Sequence, residues 1–369
     1  MPQTLGTVAS GFVISDLFTW GAAANGRLGN ATTTPDVTSP ARIGSGSDWG
    51  SITVGDAHSA GIRAGELFTW GSPTSGRLGN GTTTGDVTSP TLIGSDTNWR
   101  VIETGSAHCV AIKSDGTLWT WGLSANGQLG NGTQTPDVTS PAQVGSDTNW
   151  LAVSAHAFHN HAIKTDGTLW SWGAGANGRL GSGGTGVRTS PFQIGTDTNW
   201  QAVSAGGSHG IALKTDGTLW TWGNAANGRL GNGTTTPNVT SPAQIGTATD
   251  WSAVAAGEDF SLALKSDGTL WTWGLAANGR LGNGTTTPDV TTPTKVGTDT
   301  NWASIAPGGS AAFAIKTTGS LWAWGLNTNG RLGDGTTTQR TSPVQIGSDT
   351  NWRFIPHGRA GAHAAAIKG

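Results

Sequence analysis

The chain has 369 residues, a formal net charge of −2 and only 11% charged residues, with 60 glycines beside 19 tryptophans. That balance offers no broad electrostatic attraction to nucleic acid or to an anionic membrane surface, and no apolar run approaches the roughly 20 residues that would span a bilayer. Glycine-rich chains that stay unfolded lack large apolar side chains, so the tryptophans argue for a packed fold. Cys109 is the only cysteine, which excludes a disulfide framework within the chain. The first ten residues lack a basic segment followed by an apolar one, so no secretory signal is expected and the compartment stays open.

From the N-terminus the chain offers Phe12-Val13-Ile14 and then Leu17-Phe18-Thr19-Trp20-Gly21. The second of these recurs, most fully as Leu118-Trp119-Thr120-Trp121-Gly122. Its tryptophan before glycine stands at positions 20, 70, 121, 172, 222, 273 and 324, so seven copies of one unit fill the chain. Self-similarity at a fixed period is the signature of a repeat architecture.

One unit, read in order, gives four short strands. Trp99 to Thr104 alternates large and small residues as a first strand, and His108 to Lys113 forms a second. Asp115-Gly116 follows, the pair that tolerates positive φ in a two-residue hairpin. Leu118 to Trp121 is the third strand, with Leu118 and Thr120 on one face and Trp119 and Trp121 on the other. A long loop over 122–139 contains Asn126-Gly127 and Asn131-Gly132. Ser140 to Gly145 is the short outer strand, its proline at the start where a missing N–H is tolerated. Seven such units predict an all-β fold, a seven-bladed β-propeller of four-stranded antiparallel blades occupying residues 1–369 as a single domain.

Closure distinguishes a propeller from an open solenoid, which needs atypical polar end caps. The tail His363 to Gly369 copies a second strand without the third strand that should follow, and Leu17 to Trp20 supplies that third strand at the other end. Pairing of the N- and C-terminal strands closes the ring and removes an exposed edge. Phe12-Val13-Ile14 is then a surplus second-strand copy within residues 1–15, available to add an edge strand, lie on the surface or self-associate with another molecule.

Leu-Trp-x-Trp-Gly, then Asn-Gly-Arg-Leu-Gly, then Ser-Pro, then a first strand followed by Gly-x-x-His resembles the regulator of chromosome condensation repeat family. Members of that family act as nucleotide exchange factors, as a plant ultraviolet receptor and as interaction modules in larger proteins, so the resemblance implies fold more firmly than function. The intervals of 50 or 51 residues leave no room for the irregular insertion that the exchange mechanism of the founding member implies, and neither terminus is basic. The receptor's Gly-Trp-Arg-His motif is matched here by Gly105-Ser106-Ala107-His108 and Gly206-Gly207-Ser208-His209, without its tryptophan.

Arg27, Arg77, Gln128, Arg179, Arg229, Arg280 and Arg331 occupy one loop position and form a ring on one propeller surface; they are the candidate partner-binding residues. Forked guanidinium contacts to an anionic or carboxylate-bearing partner suit such a ring. The competing reading packs each side chain on its own loop, paired with an acid such as Asp36, Asp86, Asp137 or Asp289. Gln128 favours that structural slot, as does the resemblance, whose members commonly hold glutamine there.

His58, His108, His159, His209 and His363 form a second ring, replaced by Phe260 and Ala311 in two copies. One per blade is too widely spaced to share a metal, and hydrogen bonds between neighbouring blades are the expectation. His156, His159 and His161 cluster without a nearby cysteine or carboxylate. The loops resembling Gly132 to Asp137 hold one carboxylate each, which suits turn chemistry better than calcium. Asn80, Asn131, Asn232 and Asn283 match Asn-x-Thr and are read as turns too.

Near-identical copies offer the same groups repeatedly instead of one asymmetric catalytic set. The shortened loop Ser182 to Arg188 adds no nucleophile and base. The expectation is a non-catalytic scaffold without cofactor or metal, acting through its loop face on a protein or glycan partner, with no nucleic acid and no membrane insertion. Two alternatives stand beside it: a structural subunit of a virion or extracellular assembly, and a guanine nucleotide exchange factor for a small GTPase.

Overall fold

The computed structural model describes residues 15–356 and 362–369, and these form seven four-stranded antiparallel sheets. Blade 1 spans Trp49–Leu92, blade 2 Trp99–Gln143, blade 3 Trp150–Gln193, blade 4 Trp200–Gln244, blade 5 Trp251–Lys295 and blade 6 Trp302–Gln345. Blade 7 is composite: Trp352–Phe354 and His363–Lys368 from the C-terminus join Asp16–Gly21 and Val37–Arg42 from the N-terminus. Asp16 pairs with Lys368 and Gly21 with His363, so the tail copy of the second strand closes the ring. Phe12-Val13-Ile14 lies outside the described residues.

Within blades 1 to 6 the four strands pair in sequence order, and neighbouring blades meet chiefly through their first and second strands, which places the first strand innermost. In blade 2 the observed strands are Trp99–Thr104, His108–Lys113, Leu118–Gly122 and Val138–Gln143. The outer strand thus begins two residues before the expected Ser140. Pro141 sits inside it, where the register shifts between Val138 and Ala142, so the missing N–H falls in a bulge that needs no ladder bond. The Asp-Gly turn is also longer than a two-residue hairpin. Gly116 takes φ of 79°, and the Asp115 carboxylate accepts from Thr117 N (3.0 Å) and Thr117 Oγ1 (2.7 Å), folding residues 114–117 into one connection.

Tryptophan alternation builds the core as the pattern requires. Trp119 and Trp121 share a face and meet Trp99 edge to face at 5.8 and 6.2 Å. Leu118 packs on the opposite face with Trp172 of blade 3. The tryptophans before glycine have none of their surface exposed. Burying an indole removes roughly 200 Å² from water, on the order of 5 kcal/mol of gross hydrophobic stabilisation. A lysine at the end of the second strand covers the outer aromatic pair: Lys113 Nζ lies 3.7 Å from the Trp119 ring centroid and 2.8 Å from Asp96 Oδ2.

Each buried indole also fastens its blade to the preceding one. Trp70 Nε1 donates to the Arg27 carbonyl oxygen (2.9 Å), Trp121 to that of Arg77 (3.1 Å), Trp172 to Gln128 (3.1 Å), Trp222 to Arg179 (3.0 Å), Trp273 to Arg229 (2.9 Å), Trp324 to Arg280 (3.0 Å) and Trp20 to Arg331 (2.8 Å). The acceptor turn comes close because it carries glycine: a Cβ on Gly76 would meet Thr139 Cα of the next blade at 2.8 Å, and its φ is +75°.

Asn160 Nδ2 also donates to the Gln128 carbonyl (2.8 Å), whereas alanine stands at the equivalent position, Ala312, beside the Arg280 carbonyl. Trp172→Phe therefore leaves its acceptor with a remaining side-chain donor, and Trp324→Phe does not. The second substitution is expected to cost more, by about 1–3 kcal/mol, when urea unfolding of the two variants is compared. Equal losses would show that the indole bond contributes nothing of its own.

Candidate functional site

The sequence singled out one ring of arginines, and the structure places all seven positions in the turn after the third strand. Each arginine closes its own turn: Nε donates to the carbonyl three residues earlier, from 2.8 Å at Arg27 to Ala24 and Arg77 to Thr74 up to 3.0 Å at Arg179 to Ala176 and Arg331 to Thr328, with 2.9 Å at Arg229 and Arg280. The turn residue two before the arginine takes left-handed φ, as at Asn25 (62°) and Asn177 (61°). In blade 2, Asn126 is not among the positive-φ residues, and Gln128 Oε1 instead accepts from Asn126 N at 2.7 Å. Arginine and glutamine therefore fill one slot through two turn geometries.

The guanidinium groups then reach across to the next blade. Arg27 Nη1 donates to the Asp56 carbonyl oxygen (3.0 Å), Arg179 Nη1 to that of Gly207 (3.2 Å), and Arg229 Nη1 contacts Asp259 Oδ1 (2.6 Å). Asp259 also faces Arg280 Nη1 at 4.0 Å. Burial lowers the guanidinium pKa of Arg27 and Arg77, and the Asp56 carboxylate opposes that shift in both. Arg229, Arg280, Arg331 and Gln128 are buried, while Arg27, Arg77 and Arg179 keep part of their surface in solvent.

The acids expected beside the arginines do other work. Asp36, Asp137 and Asp289 accept the backbone N–H that opens the loop, from Ala23, Ser124 and Ala276 at 2.9–3.0 Å. Their second oxygens, or those of equivalents, take an asparagine amide from the preceding blade, as Asn25 to Asp86 (3.2 Å), Asn227 to Asp289 (2.8 Å) and Asn329 to Asp36 (2.7 Å). The Asn-x-Thr asparagines form Asx turns: Asn80 Oδ1 accepts from Thr82 N (3.2 Å) and Thr82 Oγ1 (3.0 Å), and Asn131, Asn232 and Asn283 repeat the pattern.

The histidine ring links blades. His363 Nε2 meets Ser59 Oγ (2.9 Å), His108 Nε2 meets Asn160 Oδ1 (2.9 Å), His209 Nε2 meets Ser261 Oγ (3.0 Å) and His58 Nε2 lies 3.5 Å from Cys109 Sγ. The partner residue passes the contact on: Ser59 donates to the Arg27 carbonyl and Ser261 to the Arg229 carbonyl, the acceptors already used by Trp70 and Trp273. In blade 4 the partner position is Gly210, where a Cβ would meet the Trp222 ring at 2.3 Å. His161 of blade 3 packs against that ring at 5.1 Å and against His159 at 5.1 Å. Among the described residues no three His, Cys, Asp or Glu side chains group to hold a metal.

Two features had no repeat signal to reveal them. Glu103, on the innermost strand of blade 2, is buried, and burial pushes its carboxyl up to about 8. His156 Nε2 lies 3.9 Å from Glu258 Oε2, joining blades 3 and 5 beside Gly207, whose missing Cβ would meet the Glu258 carbonyl oxygen at 2.5 Å.

Seven blades closed by the chain ends, each fastened to the next beneath a ring of structured turns, define a tryptophan-rich seven-bladed propeller. The chain belongs to the RCC1-like family: the RCC1-like domain matches residues 5–310, and the regulator of chromosome condensation (RCC1) repeat matches residues 318–363. The regulator of chromosome condensation of Xenopus laevis is 33% identical over 85 residues, 23% of this chain and 20% of that protein. The human E3 ubiquitin-protein ligase HERC2 is 26% identical over 236 residues, 62% of this chain but 4% of the ligase, so this chain spans only a small part of that relative. Prp20p from Saccharomyces cerevisiae superposes with a TM-score of 0.87 at 20% identity, covering 99% of this chain and 93% of its own. Human WBSCR16 superposes at 0.85 and 20% identity, covering 96% and 98%. At such identity these likenesses speak to the fold.

Burial holds His58, His161, His209 and His363 below the usual imidazole range, to about 3 for His161. The unfolded chain, with imidazoles near 6.5, takes up more protons below that pH, so this stability is complete above about pH 6.5 and is lost as pH falls toward the folded values. Each histidine contributes a slope of about 1.4 kcal/mol per pH unit in that window. Urea midpoints are expected to drop steeply between pH 6.5 and 4.5, and a flat profile would contradict the sealed ring. Glu103 has the opposite sign: its folded value lies above the unfolded one near 4.5, so it destabilises increasingly as pH rises from 4.5 to 8. Glu103→Gln is expected to raise the unfolding midpoint at pH 8 and to leave it nearly unchanged at pH 4; no pH dependence of that gain would refute the assignment.

Proposed function

We propose that the protein is a non-catalytic binding scaffold whose turn face engages a protein partner through Arg27, Arg77 and Arg179. The observation that carries this reading is the uneven exposure of the ring. Arg229, Arg280 and Arg331 are buried, whereas the half-exposed arginines lie on blades 7, 1 and 3, and the acidic pair Glu258 and Asp259 lies on blade 5. Arg27 and Arg77 share the face with the exposed Asp56 carboxylate, and these partly exposed guanidinium groups are the ones available to an acidic protein surface. The remaining ring members, Gln128, Arg229, Arg280 and Arg331, hold the turns that set the face.

Family membership supports a protein partner, since Prp20p is described by its binding to Gsp1p and histones. The perturbed histidines favour a non-enzyme, because they are buried and the Nε2 atoms of His209 and His363 contact the neighbouring blade instead of facing a substrate. The exchange-factor alternative rests on the same likeness to Prp20p; stimulation of GDP release from Gsp1p would favour it over a passive scaffold. The relatives named above lend the virion or extracellular-assembly alternative no support.

The test is affinity capture from cell extract with quantitative mass spectrometry. Wild type is compared with the triple variant Arg27→Gln, Arg77→Gln, Arg179→Gln, which borrows the residue that blade 2 already uses. Specific partners are expected to fall by about tenfold or more, the loss of roughly 1.4 kcal/mol, and wild-type binding is expected to weaken with salt. Undiminished capture by a folded triple variant would overturn the reading.

A further inference from the structure

The rim of the propeller carries a second kind of surface that the turn face does not use. Between blades 5 and 6 lies a groove of about 430 Å³, lined by Trp302, Trp322, Asn283, Thr294, Asp299 and Ser342 among others. Between blades 7 and 1 a groove of about 480 Å³ stands at the equivalent place, with Trp49, Phe68, Arg42, Arg63, Asn30 and Ser89 in its lining. Both volumes fall in the range of small-ligand sites. We propose that these inter-blade rim grooves bind neutral oligosaccharides, one sugar site repeating around the ring.

The chemistry of the lining carries the assignment. Trp322 is only partly buried, unlike Trp324 two residues later, which has no exposed surface. Lys316 Nζ covers one face of its ring, so the indole offers the groove its remaining apolar surface, against which the C–H face of a pyranose packs. Asn283 Oδ1 is occupied by Thr285 N (3.2 Å) and Thr285 Oγ1 (3.0 Å), which leaves the amide NH₂ as its group for a ligand. Thr294 and Ser342 are exposed and add hydroxyls, and Asp299 adds carboxylate oxygens, so donors and acceptors border an aromatic floor.

Charge selects a neutral sugar. Lys316 is already held between Asp299 (2.8 Å) and the Trp322 ring (3.9 Å to its centroid), and the exposed Lys295 lines the same groove, so a ligand meets both signs of charge there and one without net charge suits it. Asp96, Asp147, Asp197 and Asp349 repeat that pair with their lysines at 2.6–2.8 Å, so a lysine-paired carboxylate recurs at the same place in other blades. A peptide added to the outer strand is disfavoured, since Pro90, Pro141, Pro191, Pro242 and Pro343 each remove an N–H from the middle of that strand. Repetition suits a polymer: individually weak sites gain by avidity along one glycan chain.

The experiment records the indole ¹⁵N–¹H signals of the intact chain during titration with cellohexaose, chitohexaose and mannohexaose to ~10 mM, enough to populate millimolar sites. Shifts are expected in the half-buried set Trp119, Trp170, Trp220, Trp271 and Trp322, with Trp20, Trp70, Trp121, Trp172, Trp222, Trp273 and Trp324 unmoved. Ser342→Trp, which fills the groove between blades 5 and 6, is expected to silence Trp322 alone, and the unchanged remaining indoles show that it folds. No shift with any of the three sugars overturns the proposal, as do shifts that survive Ser342→Trp or that a hexauronate or a polyproline peptide produces more strongly. The groove between blades 5 and 6 contains none of the three substituted arginines, so the triple glutamine variant should retain the Trp322 response whatever becomes of the face reading.

Discussion

One hydrogen bond organises this molecule: the buried indole N–H of each blade donates to the main-chain carbonyl of the turn in the blade before it. The bond joins the least soluble side chain to a polar group that the turn would otherwise leave unpaired at a blade interface, where an unsatisfied carbonyl costs about 1–3 kcal/mol. The requirement propagates. The turn must approach closely, which selects glycine; its carbonyl must be aimed, which in six blades selects a left-handed residue before that glycine, asparagine or, in blade 1, Ser75; and the following arginine, or Gln128 through its own turn geometry, must hold the turn closed. Seven repetitions around a closed ring leave no blade free to tilt without breaking a bond on each side.

The same constraint explains the fate of the conspicuous polar residues. The ring histidines, too widely spaced to share a metal, serve as struts: His363, His108 and His209 contact Ser59, Asn160 and Ser261 beside the indole acceptors. Arginines that look like a uniform cationic ring divide by exposure, because their Nε belongs to the turn and only the outer nitrogens reach the neighbouring blade. What remains for recognition is a turn face with three partly exposed arginines and a set of rim grooves, two surfaces on one rigid frame.

Much of the fold was legible because the residues that build it repeat. Tryptophan before glycine gave the blade count, and the unpaired tail and head gave the closure between His363–Lys368 and Asp16–Gly21. The outer strand was displaced by two residues because proline reads as a boundary, and the bulge that accommodates Pro141 is a property of pairing, not of local sequence. The arginine slot was legible as a position but not as a geometry, since the φ of Asn25 depends on packing against blade 1. Ser59, Cys109, Asn160 and Ser261 do one job with three chemistries, so no pattern marks them. The rim grooves were invisible for a different reason: Asn283 and Ser342 belong to different copies and meet only when blades are stacked.

The central claim is that the seven indole clasps make the ring a single cooperative unit, and indole hydrogen exchange measures that claim residue by residue. The account predicts that the N–H groups of Trp20, Trp70, Trp121, Trp172, Trp222, Trp273 and Trp324 exchange only through global unfolding, all with one common free energy. Exchange of any one of these seven by local opening, several kcal/mol below the others, would show a blade that moves independently and would contradict it.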